Sequence, residues 1–212
     1  MDFPRLYAII DADLLSARSL NITSFAEELR DAGVKLIQYR NKQGSARTIL
    51  GDAALLKQIF SGNDLKLIMN DRSDLALLAG FDGVHVGQDD LSAEDTRSIV
   101  GPNPWVGVST HTTQQVIEAN ETSCDYIAYG PIFPTASKNN PDPTVGLDGL
   151  RMARALTRKP LVAIGGITRR NCRSVLEAGA DSAAVISDLL PPTNDSSNTR
   201  KIAEEFLALL TE

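Results

Sequence analysis

Two aspartates, Asp71 and Asp90, have the type and spacing to hold a metal ion. Each follows a short apolar run: Leu67-Ile68-Met69 leads into Asn70, Asp71 and Arg72, and Val84-His85-Val86 leads into Gln88, Asp89 and Asp90. Runs this short read as strands, and the LALLAG segment between them reads as a helix ended by Gly80. Parallel neighbouring strands lie about 5 Å apart, so carboxylates just past their ends can share one cation. Mg²⁺ takes a few carboxylates plus substrate phosphate oxygens, and the cations Arg40, Lys42 and Lys138 suit a magnesium-bound polyphosphate. Either aspartate could cap a helix instead. Ser73 and Ser92 stand at better-placed capping positions, however, which leaves both acids for the metal. Spacing alone does not choose between Asp89 and Asp90.

The segment Gln38-Tyr39-Arg40-Asn41-Lys42 alternates, so Gln38, Arg40 and Lys42 share one side and Ile37 and Tyr39 the other. A charge turned inward from a strand needs a partner. His85 faces opposite to Val84 and Val86, either as a hydrogen-bonded core residue or as a ligand contact. His111, in the Ser109-Thr110-His111-Thr112 run, suits acid–base work or a capping role equally. Gly165-Gly166 and Ile186-Ser187 follow the last two strand-like runs, where a barrel commonly binds phosphate through backbone N–H groups. A glycine pair alone is an ordinary tight turn; its presence after the seventh strand together with Ile186-Ser187 after the eighth makes a monophosphate site the better reading. The loop from Gly130 to Lys138 reads as a lid over an anion, with Thr135, Ala136 and Ser137 before the lysine.

These groups need a scaffold that gathers strand ends. Strand-like runs at 6–10, 35–40, 66–70, 83–86, 105–108, 126–129, 161–164 and 183–186 alternate with helical periodicity at 24–32, 46–60, 75–79, 92–100, 113–121, 147–156, 169–178 and 199–210. Ser92 and Asp95 have capping-box spacing, and Gly33 sits at a helix C-terminal cap. Strict alternation demands a parallel sheet with helical crossovers, and eight units predict a single α/β domain over residues 1–212, a (β/α)8 TIM barrel. A doubly wound open sheet is the alternative. In the barrel every polar cluster named above falls on the C-terminal face.

Composition narrows the partners. A net charge of -6 leaves no broad basic face for nucleic acid or anionic membranes. Cys124 and Cys172 have neither CxxC nor His-spaced neighbours, which argues against zinc and a disulfide framework and fits a reducing cytoplasm. The N-terminal MDFPRLYAIID lacks the apolar region of a signal peptide, and no run approaches a membrane span, so a soluble, unprocessed protein is expected. An assembly of identical subunits is compatible with the sequence.

Together the residues predict two phosphorylated small-molecule substrates. A magnesium-complexed pyrophosphate would meet Arg40, Lys42, Asn70, Asp71, Asp90 and Lys138, and a monophosphate would meet Gly166, Ile186 and Ser187. The economical chemistry transfers a group off its pyrophosphate onto the second substrate, with leaving-group stabilisation as the main device. Arg40, Lys42, Lys138 and Ser109 are the groups expected to carry catalysis.

In order and spacing, QYRNK, LIMNDR, DGVHVGQDD, GVSTHT, GPIFPTASK, VAIGGIT and AVIS resemble the thiamine-phosphate synthase family over roughly residues 6–190. The resemblance implies a TIM barrel that joins 4-amino-2-methyl-5-(diphosphooxymethyl)pyrimidine to 4-methyl-5-(2-phosphooxyethyl)thiazole, releasing pyrophosphate by a dissociative substitution. It implies that Asp71 and Asp90 hold Mg²⁺. Gln38, Tyr39, Arg40, Asn41, Lys42, Asn70, Ser109 and Lys138 would bind the pyrimidine diphosphate. Thr135, Ala136, Ser137, Gly166, Val185, Ile186 and Ser187 would bind the thiazole phosphate. Asp188 departs from the family's small apolar residue, and its charge would weaken the phosphate site unless it points away. A TenI-type thiazole tautomerase using His111 and a non-catalytic barrel that senses a phosphorylated ligand are the other readings; the Asp71/Asp90 pair with Arg40 and Lys42 speaks against the first.

Overall fold

The computed structural model describes residues 3–62, 64–135, 143–192 and 198–211. In chain order these form β1 (Leu6–Asp11), α1 (Ala12–Ala17), α2 (Ile22–Asp31), β2 (Leu36–Arg40), α3 (Ala46–Ile59), β3 (Lys66–Asn70), α4 (Ser73–Ala79), β4 (Gly83–Val86) and α5 (Ala93–Val100). There follow β5 (Trp105–Thr110), α6 (Thr113–Asn120), β6 (Tyr126–Tyr129), α7 (Gly146–Leu156), β7 (Leu161–Ala163), α8 (Cys172–Glu177), β8 (Ser182–Val185) and α9 (Thr199–Thr211). Each strand runs parallel to the next, and β8 pairs with β1 through Leu6–Ala183, Tyr7–Ala184 and Ala8–Val185. That last ladder closes the barrel and excludes the open sheet. Among the described residues, no helix is long and apolar enough to cross a membrane.

The strands are buried on both sides because their alternate residues serve two cores. Ile37, Tyr39, Met69, Val84, Ile127 and Val185 pack outward against the helices, while Tyr7, Leu36, Ile68, Tyr126, Ala128, Val162 and Ala184 fill the barrel. The register joins the inner set around the ring: Leu36 and Ala184 lie beside Tyr7, Ile68 beside Gly83, and Gly107 beside Tyr126. Phe3 stacks on Trp105 at 5.3 Å and closes the N-terminal end. Above it the Tyr7 and Tyr126 rings meet edge to face at 6.0 Å. The Tyr126 ring fits only because residue 107 is glycine; a Cβ there would stand 2.0 Å from Tyr126 Cζ.

Local sequence accounts for most helix ends. Asn21, Ser45 and Ser92 accept N-terminal amide protons of α2, α3 and α5, and Gly80 ends α4 in the left-handed region. Several features differ from the sequence reading. Helix α1 was not expected: at six residues it is too short to display apolar periodicity, and Asp11 caps it directly off the strand. Ser73 is no cap; it is the first residue of α4, and its buried hydroxyl has no hydrogen-bond partner. Asp95 does not reach back to the Ser92 amide, and its carboxylate takes the Ser92 hydroxyl at 2.7 Å instead. The reciprocal capping box is at Thr112 and Gln115, whose glutamine is one carbon longer. Helix α8 starts at Cys172 rather than Arg169, because Thr168 donates to the Asn171 side chain at 2.7 Å and holds the intervening residues in a turn.

Gly107→Ala should overpack the barrel, at a cost of about 1–3 kcal/mol and hence a Tm lower by about 2–12 °C for a chain of this size. Thermal unfolding followed by circular dichroism reads this directly. An unchanged Tm would mean that the Tyr126 ring does not depend on that space.

Candidate active site

At the C-terminal ends of the strands lies a cavity of about 160 Å³. Its floor is Tyr7, Ile9, Ala128 and Ala184; Gln38, Arg40, Asn70, His85 and Ser109 line one arc. Across it stand His111, Thr135, Gly165, Gly166, Ile186 and Ser187, with Ile164 and Ile167 as apolar wall. Most of the expected polar groups thus share one cavity.

Arg40 turns inward as the alternation requires, and its partner is Asp11, a residue the sequence reading missed. Asp11 is almost fully buried, accepts one Arg40 guanidinium N–H on Oδ2 and takes the Leu14 amide on Oδ1 at 3.0 Å. A buried charge left without such a partner is strongly destabilising, so Asp11 both neutralises and aims Arg40. The available signal was its position: Asp11 ends β1 in the alternation of Tyr7 and Ile9, in register with Arg40.

The two metal candidates form a separate cluster beyond the ends of β3 and β4. Asp71 adopts φ 59, an uncommon left-handed conformation for a non-glycine residue, and its amide donates to His85 O at 2.8 Å. Asp90 Oδ2 accepts the Gly87 amide at 2.8 Å. Burial first, and Asp90 second, push the Asp71 pKa above its ordinary 3.8, with Lys42 opposing. Lys42 Nζ sits 3.1 Å from Asp71 Oδ2. Two all-oxygen ligands that repel one another, with a single lysine in partial balance, are a donor set that suits Mg²⁺.

At the other arc, Gly165 and Gly166 have φ 88 and 66, and a Cβ on either would strike the loop after β6, 2.5 Å from Pro131 and from the Pro134 carbonyl oxygen respectively. The pair is therefore required both by conformation and by close approach. Ser187 opens a 3-10 turn, Ser187–Leu189, which the sequence reading did not include. Asp188 points away from the cavity's polar groups. Its Oδ2 accepts the Arg169 amide at 2.8 Å and Arg169 Nε at 3.1 Å, and Arg169 Nη1 reaches Glu205 Oε2 on α9 at 2.7 Å. The charge that was expected to oppose phosphate is spent tying the β7 and β8 loops together.

Other expected contributors are placed elsewhere. Tyr39 faces the helices and donates to Asp52 Oδ2 at 2.5 Å; Asn41 donates to Tyr39 and accepts the Gly44 amide. Val185 is buried in the outer layer. The side chains of these three do not line the cavity, because the alternation that brings Gln38, Arg40 and Ile186 inward sends their neighbours outward. Ala136, Ser137 and Lys138 lie outside the described residues. His85 points inward, with Nδ1 2.9 Å from Tyr126 Oη and Nε2 2.8 Å from Ser109 Oγ. His111 Nδ1 donates to Gly130 O at 2.6 Å, which holds its ring at the cavity wall.

A closed parallel barrel whose C-terminal mouth gathers a buried arginine, a pair of carboxylates at the rim and a glycine turn has the layout of a barrel enzyme. The profile of the family described as "Thiamine monophosphate synthase" matches residues 6–189. Among curated proteins, the chain is 57% identical to the thiamine-phosphate synthase of Koribacter versatilis, covering 99% of this chain and 97% of that one. It is 38% identical to that of Methanosarcina mazei, over 97% and 82%. A thiamine phosphate pyrophosphorylase structure from Pyrococcus furiosus superposes with TM-score 0.84 at 32% identity, covering 98% and 95%. The chain belongs to the thiamine-phosphate synthase family.

The raised Asp71 pKa has a sign. Its contribution to stability is present below the ordinary carboxylate value and is lost as pH rises through the elevated folded value, so a charged Asp71 is a cost to the metal-free fold. Asp71→Asn, which also tolerates the left-handed backbone, should melt no lower than wild type in EDTA at pH 7. Mg²⁺ at about 100 times its Kd should raise the wild-type Tm by about 5–10 °C and leave the variant unmoved. A full magnesium shift in Asp71→Asn would remove Asp71 from the metal site.

Proposed function

We propose that the protein condenses 4-amino-2-methyl-5-(diphosphooxymethyl)pyrimidine with 4-methyl-5-(2-phosphooxyethyl)thiazole, yielding thiamine phosphate and pyrophosphate, with Mg²⁺ held by Asp71 and Asp90. What supports this is one cavity with two polar arcs, Arg40 and Asn70 on one and Gly165, Gly166, Ile186 and Ser187 on the other. Two phosphorylated substrates can meet there. An isomerase of one phosphate ester has no use for the first arc.

In this reading Arg40 and Lys42 bind the diphosphate, with Lys138 joining them on sequence resemblance alone. The C–O bond between the pyrimidine methylene and the diphosphate breaks, and its electron pair leaves with pyrophosphate. The thiazole nitrogen lone pair then forms the new C–N bond, so no proton need be removed by a base. Bound Mg²⁺ would add charge neutralisation for the departing diphosphate. Ser109 donates to a substrate oxygen, while Thr135, Ser187 and the Gly166 backbone hold the thiazole phosphate. The apolar wall of Ile164 and Ile167 limits water near the cationic methylene.

Pyrophosphate release by purified protein should require both substrates and stop in EDTA. Lys42→Ala should lower kcat/KM for the diphosphate by about 10²–10³-fold, the scale of one lost leaving-group contact. Ser187→Asp should chiefly raise the KM of the thiazole phosphate; a change confined to the pyrimidine KM would mean the arcs are exchanged. Thiazole tautomer exchange without pyrophosphate release would move the chemistry to His111.

A further inference from the structure

Five of the inward-facing polar residues form a continuous chain across the barrel. Gln38 Nε2 donates to Tyr7 Oη at 2.9 Å, Tyr7 Oη lies 2.8 Å from Tyr126 Oη, and Tyr126 Oη lies 2.9 Å from His85 Nδ1. His85 Nε2 then lies 2.8 Å from Ser109 Oγ at the cavity. Both tyrosines are buried, and each phenol has one proton to give.

We propose that Tyr7 and Tyr126 are positioning residues of a one-way hydrogen-bond relay that runs from Gln38 to His85 and turns the Ser109 hydroxyl proton into the cavity. The polarity follows from counting protons. Because Gln38 uses its amide N–H on Tyr7, the Tyr7 proton goes to Tyr126 and the Tyr126 proton goes to His85 Nδ1. A neutral His85 must then carry its proton on Nε2 and donate it to Ser109 Oγ. The serine oxygen is an acceptor inside the wall, so its own proton is directed at whatever fills the cavity, and it suits an anionic oxygen. Burial pushes both tyrosine pKa values up, so each phenol remains a neutral donor. The opposite polarity needs Gln38 turned so that its carbonyl faces Tyr7; Ser109 would then donate to His85, which is the arrangement of a serine nucleophile. The relay itself stands on geometry. Only its last link, a substrate oxygen as acceptor, rests on the transferase reading above.

The test begins with the protein alone. The chain has two histidines, so long-range ¹H–¹⁵N spectra of ¹⁵N-histidine-labelled protein at pH 7 can be assigned with His111→Asn. His85 should show a protonated Nε2 and a bare Nδ1. A proton on Nδ1, or on both nitrogens, overturns the relay, as does labelling of Ser109 by a fluorophosphonate. In turnover, Tyr126→Phe should lower kcat by about tenfold, the scale of one misdirected hydrogen bond, with the thiazole phosphate KM nearly unchanged. The same change made in a Ser109→Ala background should have no further effect. An equal loss in that background would show a packing role only and overturn the proposal; Tyr7→Phe, which removes the same polarity one link earlier, gives an independent second variant. If the wild type releases no pyrophosphate, the function assignment fails while the histidine spectra still decide the relay.

Discussion

The interior of a closed barrel is packed with side chains, so a polar group that strand alternation buries there must find its partner inside the ring. Unpaired, each would cost on the order of 1–3 kcal/mol for a neutral group and more for a charged one. That constraint accounts for the organisation of this molecule. Arg40 can face inward because Asp11 does, one strand away. His85 can be buried because Tyr126 and Ser109 occupy its two nitrogens. Tyr126 in turn needs the missing side chain at Gly107 to reach Tyr7. The polar lining at the mouth is the visible end of a network anchored deeper in the core.

The same economy separates what lines the cavity from what guards its rim. Asp71, Asp90 and Lys42 lie outside the cavity lining, where a half-exposed lysine can balance one carboxylate and a metal ion can approach from solvent. At the opposite arc the main chain does the work. The left-handed glycines bring the β7 loop against Pro131 and Pro134, and Asp188, through Arg169 and Glu205, fixes that loop to the 3-10 turn and to α9. Strand ends and tied loops thus hold both arcs of the cavity.

How far a residue's role was legible depended on the range of the interaction behind it. Alternation of apolar runs is local, and it identified eight strands and the regular helices around them. Gly80, Ser92 and Gly33 were readable for the same reason, since a cap is decided within a few positions. Alternation also separated Gln38 and Arg40 from their neighbours, yet family resemblance placed Tyr39 and Val185 in the site, where their side chains point outward. Ser73 was misread as a cap because the left-handed turn at Asp71, which shifts α4 by one residue, is not encoded by residue type. Helix α1 was invisible at six residues.

The sequence alone determined the alternating architecture, the face on which polar residues collect and the family, because each rests on periodicity or on ordered motifs along the chain. Only the tertiary structure decided that β8 closes onto β1, that Arg40 is paired by Asp11, and that Tyr7, Tyr126 and His85 connect Gln38 to Ser109. These contacts join positions from 24 to 177 residues apart, and their partners are chosen by strand register and barrel closure rather than by spacing along the chain. The fate of Asp188 belongs to the same class: its type announced a charge beside a phosphate site, and only Arg169, brought across from the neighbouring loop, shows where that charge goes.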